Sequence, residues 1–115
     1  MARLLAIDIG TKRTGVAYLD EETDIPLPLT TLKHTSTEEL LEMLSALIKE
    51  RRIDRLIVGL PLLPSGEEGA QVHYVREITE QMQERGWSVE LRDERYTTPR
   101  THTGDPDAIA ALNLF

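Results

Sequence analysis

Residues 3–19, Arg3-Leu4-Leu5-Ala6-Ile7-Asp8-Ile9, then Gly10-Thr11-Lys12-Arg13, then Thr14-Gly15-Val16-Ala17-Tyr18-Leu19, decide the fold. In Arg3 to Ile9 both alternating sets, Leu4/Ala6 and Leu5/Ile7/Ile9, are apolar, which predicts a strand covered on both faces. Gly10 permits a sharp turn, and Thr14 to Leu19 reads as a second strand returning alongside the first. The exception in the first strand is Asp8. A carboxylate at the end of an apolar central strand costs several kcal/mol to bury unless its charge is compensated, and a bound cation would compensate it.

Working outward, the acidic stretch Asp20 to Asp24 predicts a turn into a third strand over Leu27 to Lys33, which Pro26 and Pro28 push towards a sheet edge. Ser36-Thr37-Glu38-Glu39 fits a capping box ahead of Leu40, Leu44, Leu47 and Ile48, so a helix follows. Asp54 to Leu60 reads as a buried parallel strand. The turn-rich loop Pro61 to Gly69 leads to a second helix, whose face carries Val72, Val75, Ile78 and Met82 and which Gly86 ends. Trp87 to Leu91 reads as a fifth strand. Asp105-Pro106 is a good helix start for a short last helix through Leu112. The expected order is βββαβαβα in one α/β domain spanning residues 1–115.

The 115 residues are 40% hydrophobic and 29% charged, ordinary values for a globular domain. With no cysteine, a disulfide framework, a thiolate zinc site and a cysteine nucleophile are all excluded, so any metal sits on oxygen or imidazole. His34, His73 and His102 show no ligand-like spacing and read as surface or helix-face residues. No apolar run approaches the roughly 20 residues that cross a bilayer, and the N-terminus lacks signal-peptide organisation. The expectation is a cytoplasmic protein without membrane contact. The net charge of −7 opposes a broad nucleic-acid surface, because phosphate binding draws on lysine and arginine. What matters is local charge: Lys12, Arg13, Arg92, Arg95 and Arg100 lie in or beside the stretches that carry the candidate site.

Two further carboxylates stand at element ends. Glu94 follows the fifth strand, and Asp107 lies in the first turn of the last helix, where the helix dipole favours an anion. Each alone also reads as an ordinary solvated turn or cap residue. Together with Asp8 they form a candidate oxygen site for a hard divalent ion, with strand ends and a helix start as supports. Lys12 and Arg13, on the turn beside Asp8, are candidate phosphate contacts. So is Arg95, which could equally pair with Asp93. Thr97 could orient Glu94.

Asp8-Ile9-Gly10-Thr11-Lys12-Arg13-Thr14-Gly15-Val16-Ala17 resembles the opening motif of the YqgF family, also called RuvX. Val58-Gly59-Leu60-Pro61-Leu62, with Gly66 and Gly69-Ala70-Gln71, resembles its central motif, and Asp93-Glu94-Arg95-Tyr96-Thr97-Thr98 its third. Asp107 ahead of Ala110-Ala111 resembles the last. The motifs occur in family order along nearly the whole chain.

This resemblance implies an RNase H-like fold with a mixed five-stranded sheet flanked by helices. It also implies a nuclease dependent on Mg²⁺ or Mn²⁺, acting on structured DNA junctions or on the precursor of 16S ribosomal RNA. Asp8, Glu94 and Asp107 would be its catalytic metal ligands, and Lys12, Arg13, Arg95 and Thr97 its substrate contacts. The expected partner is structured RNA or DNA, bound by a monomer or homodimer. The interval from Glu94 to Asp107 is shorter than in the family, which normally places a helix and a basic loop there. That short interval and the net charge of −7 favour a second reading, a catalytically weak binding module that keeps the fold; a third, a nucleotide-binding fragment of the actin-like ATPase type, comes from Asp8-Ile9-Gly10-Thr11, which also resembles the phosphate loop of those enzymes.

Overall fold

A computed structural model describes residues 1–94 and 106–115. Five strands, β1 (Arg3–Ile9), β2 (Arg13–Asp20), β3 (Leu27–Lys33), β4 (Arg55–Leu60) and β5 (Val89–Asp93), form one sheet in the order β3-β2-β1-β4-β5. The β1–β2 and β2–β3 pairs are antiparallel, and β4 and β5 run parallel to β1. Helices α1 (Thr37–Arg51), α2 (Ala70–Glu84) and α3 (Pro106–Leu112) complete the expected order.

β1 lies at the centre because both its faces are apolar. Leu5, Ile7 and Ile9 meet Leu40, Leu41 and Leu44 of α1 and Val72, Val75, Ile78 and Met82 of α2. On the opposite face Leu4 and Ala6 join Ala17 and Ile57 beneath Ala111 and Leu112 of α3 and Leu114. The small residues Ala6 and Ala17 let a short helix lie close to the sheet, where it shields about 25 cal/mol of hydrophobic stabilisation per Å² of apolar surface.

Helix boundaries follow local chemistry. Ser36 Oγ accepts from the Glu39 N–H at 3.1 Å, and Glu39 reaches back to the Thr35 N–H at 3.3 Å, one residue further than a standard capping box. At the end of α2, the Gly86 N–H donates to Gln83 O at 2.9 Å and the Trp87 N–H to Met82 O at 3.2 Å, which is a Schellman motif. This motif moves the fifth strand. Trp87 is held in the helix cap and packs at the edge of the core, so β5 starts at Val89 rather than Trp87 and runs on to Asp93. The extension delivers Glu94 to the end of the sheet where Asp8 lies.

Candidate acidic site at the sheet end

Asp8 continues the Leu4/Ala6 series and therefore faces the α3 side of the sheet. Its register partner on β2 is Gly15. On the other side Ile7 pairs with Val58, which puts Gly59 level with Asp8 on β4. The half-buried aspartate is thus flanked by two buried glycines, each taking a group that a side chain would displace. A Cβ at Gly15 would overlap the backbone carbonyl of Asp107 at the start of α3, and a Cβ at Gly59 would overlap the carboxyl group of Glu94. A close approach of backbone or side chain to the sheet requires glycine at both positions.

Glu94 lies over Gly59 against Asp8. Partial burial, the Asp8 charge, a hydrogen bond to Asp8 and, least, the Asp93 charge push its carboxyl group up to about 8. At neutral pH Glu94 keeps its proton and donates it to Asp8, as expected when two carboxylates share one partly dry site. Such a pair has a place for positive charge, and its donors are all oxygen, which fits one hard divalent ion held between Asp8 and Glu94. Asp107 does not close the set: its Oδ2 lies 3.4 Å from Arg13 Nε. Among the described residues, no three His, Cys, Asp or Glu side chains gather closely enough to hold an ion. The structure therefore brings Asp8 and Glu94 together and sets Asp107 beside them, at the start of α3 over Gly15 of β2.

Lys12 and Arg13 are exposed on the β1–β2 turn and, with Gly10, Thr11, Lys33 and Asp107, line an open groove at this end of the sheet. Gln71 Nε2 donates to Ile9 O at 3.3 Å and so ties the start of α2 to the strand end beside Asp8. Arg92 is engaged elsewhere, with Glu90 and with Leu114 O. Arg95 and Thr97 lie outside the described residues, as do Arg100, His102 and the Asp105 cap.

His34 departs from its expected surface role. It is 4% exposed and its Nε2 lies 2.8 Å from Thr14 Oγ1, with burial lowering its pKa against the opposing charge of Glu39. Two residues of this region escape a reading of local sequence. Gly59 owes its meaning to a carboxyl group that arrives from β5, and Lys33 to its register opposite Arg13. An aligned β2–β3 hairpin would have found the second.

The sheet resembles that of Thermus thermophilus RuvC in complex with a Holliday junction substrate, with a TM-score of 0.67 at 11% identity over 99% of this chain and 90% of that one. The large terminase nuclease of thermophilic phage G20c gives 0.62 at 12% identity, covering 98% and 80%. At these identities the likeness establishes the RNase H-like fold of the resolvases and nothing finer. At the sequence level, a Chloroflexus aurantiacus protein named "Putative pre-16S rRNA nuclease" is 36% identical over 96 residues, 83% of this chain and 63% of that protein. A protein of the same name from Anaeromyxobacter is 36% identical over 84% of this chain and 71% of its own length. The chain thus spans less than two thirds of the length of the Chloroflexus relative. The sequence model of RuvX, described as a Holliday junction resolvase, matches residues 2–104, and with these relatives it establishes that the chain belongs to the RuvX (YqgF) family.

Proposed function

We propose that this protein is a metal-dependent endonuclease acting on structured nucleic acid, with 5′ processing of precursor 16S rRNA preferred over cleavage of Holliday-junction DNA. The observation that carries this reading is the Asp8–Glu94 contact on its glycine floor in a chain of the RuvX family. Asp8 and Glu94 would hold Mg²⁺ or Mn²⁺, and Asp107 would join them on leaving Arg13. The bound ion supplies Lewis-acid stabilisation of the phosphate and a more acidic water. The chain's own part is to fix the carboxylates at rigid element ends, to give up the Glu94 proton and to neutralise phosphate charge through Lys12 and Arg13. Arg95 and Thr97 are proposed as further substrate contacts.

The test is cleavage of labelled precursor 16S rRNA and a four-way DNA junction in Mg²⁺ or Mn²⁺, with Asp8→Asn prepared identically. Loss of cleavage in the variant is the expected result. The Arg13–Asp107 ion pair favours a second reading, a binding module without effective catalysis, because it engages a carboxylate that the metal would need. Nucleic-acid binding with no cleavage by the wild type would select it.

A further inference from the structure

The β2–β3 hairpin breaks a rule of sheet stability at the end nearest the acidic pair. Arg13 and Lys33 are direct cross-strand partners, and like charges placed opposite one another destabilise an antiparallel pair. Arg13 is relieved by Asp107, whereas neither Lys33 nor Lys12 forms an ion pair among the described residues. Elsewhere on the sheet Arg3 faces Asp20, Arg55 faces Leu4 and Arg92 faces Gly59 across their ladders, so no other cation of the described strands opposes a cation. In a chain of net charge −7, the like-charged pair stands out.

Its position is equally specific. Arg13 lies two residues beyond Gly15 on β2 and so faces the same side of the sheet as Asp8. Two residues span about 7 Å of strand and neighbouring strands lie about 4.8 Å apart, so Arg13 and Lys33 sit within reach of phosphates adjoining one at Asp8–Glu94. The strand ends there: His34, buried against Thr14, also bonds Lys12 O through its backbone N–H at 3.0 Å, which fixes the β1–β2 turn to the residue after Lys33. Lys33 also lines a groove with Thr11, Lys12, Arg13, Thr35 and Glu39, contiguous with the groove beside Asp107.

We infer that Lys33 is a substrate-binding residue, completing with Lys12 and Arg13 a cationic shelf that takes the phosphodiester backbone of one nucleic-acid strand as it leaves the acidic pair towards the β3 edge. The inference rests on the proposed nuclease reading and adds a direction to it. The strand runs over β2 and β3, away from β5, and the stability forfeited by opposing Arg13 with Lys33 is recovered when phosphate arrives.

Binding of a short fluorescein-labelled single-stranded RNA, and of DNA of the same sequence, is measured by anisotropy in EDTA across a salt series. Cleavage then plays no part. Lys33→Ala is expected to weaken binding roughly three- to tenfold at low salt and to flatten the plot of log affinity against log salt by about 0.7, the share of one phosphate contact on a single strand. Its melting temperature should equal or slightly exceed that of the wild type, and Lys33→Arg should restore binding. Lys49→Ala, in the last turn of α1 at the opposite end of the sheet, should bind as the wild type does. Unchanged affinity and slope in Lys33→Ala overturn the inference and leave the nuclease reading standing. A wild type that binds neither probe also overturns the inference, and cleavage of the structured substrates then decides the nuclease reading by itself.

Discussion

At the scale of single residues, the site is made by what two glycines leave room for, and the two differ in what a methyl group would meet. At Gly59 the obstacle is the end of a flexible glutamate; at Gly15 it is helix backbone. Gly59→Ala should therefore displace Glu94 and abolish cleavage while costing less than about 1 kcal/mol of stability. Gly15→Ala must move α3 and should cost about 1–3 kcal/mol or more, the range for overpacking. Urea denaturation of both variants separates the cases, and equal losses would show that Glu94 is as immobile as the helix. Glu94 also makes stability depend on pH. Its folded pKa of about 8 lies above the ordinary 4.5, so its contribution is complete below pH 4.5 and is lost as pH rises through 8. Screening at this partly exposed carboxyl reduces the effect to about 1–2 kcal/mol. The metal-free protein should melt progressively lower from pH 5 to pH 8.5, and Glu94→Gln should remove most of that slope. Asp8 was legible in the sequence because a charge interrupts an apolar strand. The roles of Gly59 and Lys33 were not, because each depends on a neighbour brought in from another strand.

At the scale of elements, the central strand, the first helix and its cap could be read from local pattern because burial and capping are local signals. The fifth strand could be read as well, but not its bounds. Trp87 has strand propensity, yet its N–H completes the cap of α2, and that non-strand bond shifts the strand by two residues. The same cap geometry recurs at α1 with the wrong residue. Arg52 sits at φ 54°, ψ 51°, while its N–H bonds Lys49 O and the Ile53 N–H bonds Ile48 O. A side chain in the left-handed region costs roughly 1–2 kcal/mol, part of which glycine returns through its greater freedom when unfolded. Arg52→Gly should accordingly stabilise the fold by about 0.5–1 kcal/mol without touching the acidic site at the far end of the sheet. Calorimetry reads the gain, and a loss would mean that the Arg52 side chain holds something its backbone does not reveal.

At the scale of the whole molecule, the acidic pair, the open turn and the proposed cationic shelf share one end of the sheet, so the proposed metal and substrate would meet the Glu94 proton at one place. Whether the three carboxylates converge was open in the sequence, since their meeting is set by sheet register and by where α3 docks. With Asp107 on Arg13, the pair left for the proposed ion is Asp8 and Glu94, and below pH 8 that ion would compete with the Glu94 proton. Affinity for Mn²⁺ should therefore rise with pH, by at most about tenfold per unit between pH 6 and 8, and level off above. At a hundredfold excess over its dissociation constant a bound ion adds about 2.7 kcal/mol, which for a chain of this size raises the melting temperature by roughly 10 °C. At a fixed Mn²⁺ concentration the rise should be small at pH 6 and large at pH 8.5, reversed by EDTA and absent in Asp8→Asn. A rise of the same size at both pH values would show that the ion binds without displacing the Glu94 proton. The ligands would then lie elsewhere than in the Asp8–Glu94 pair.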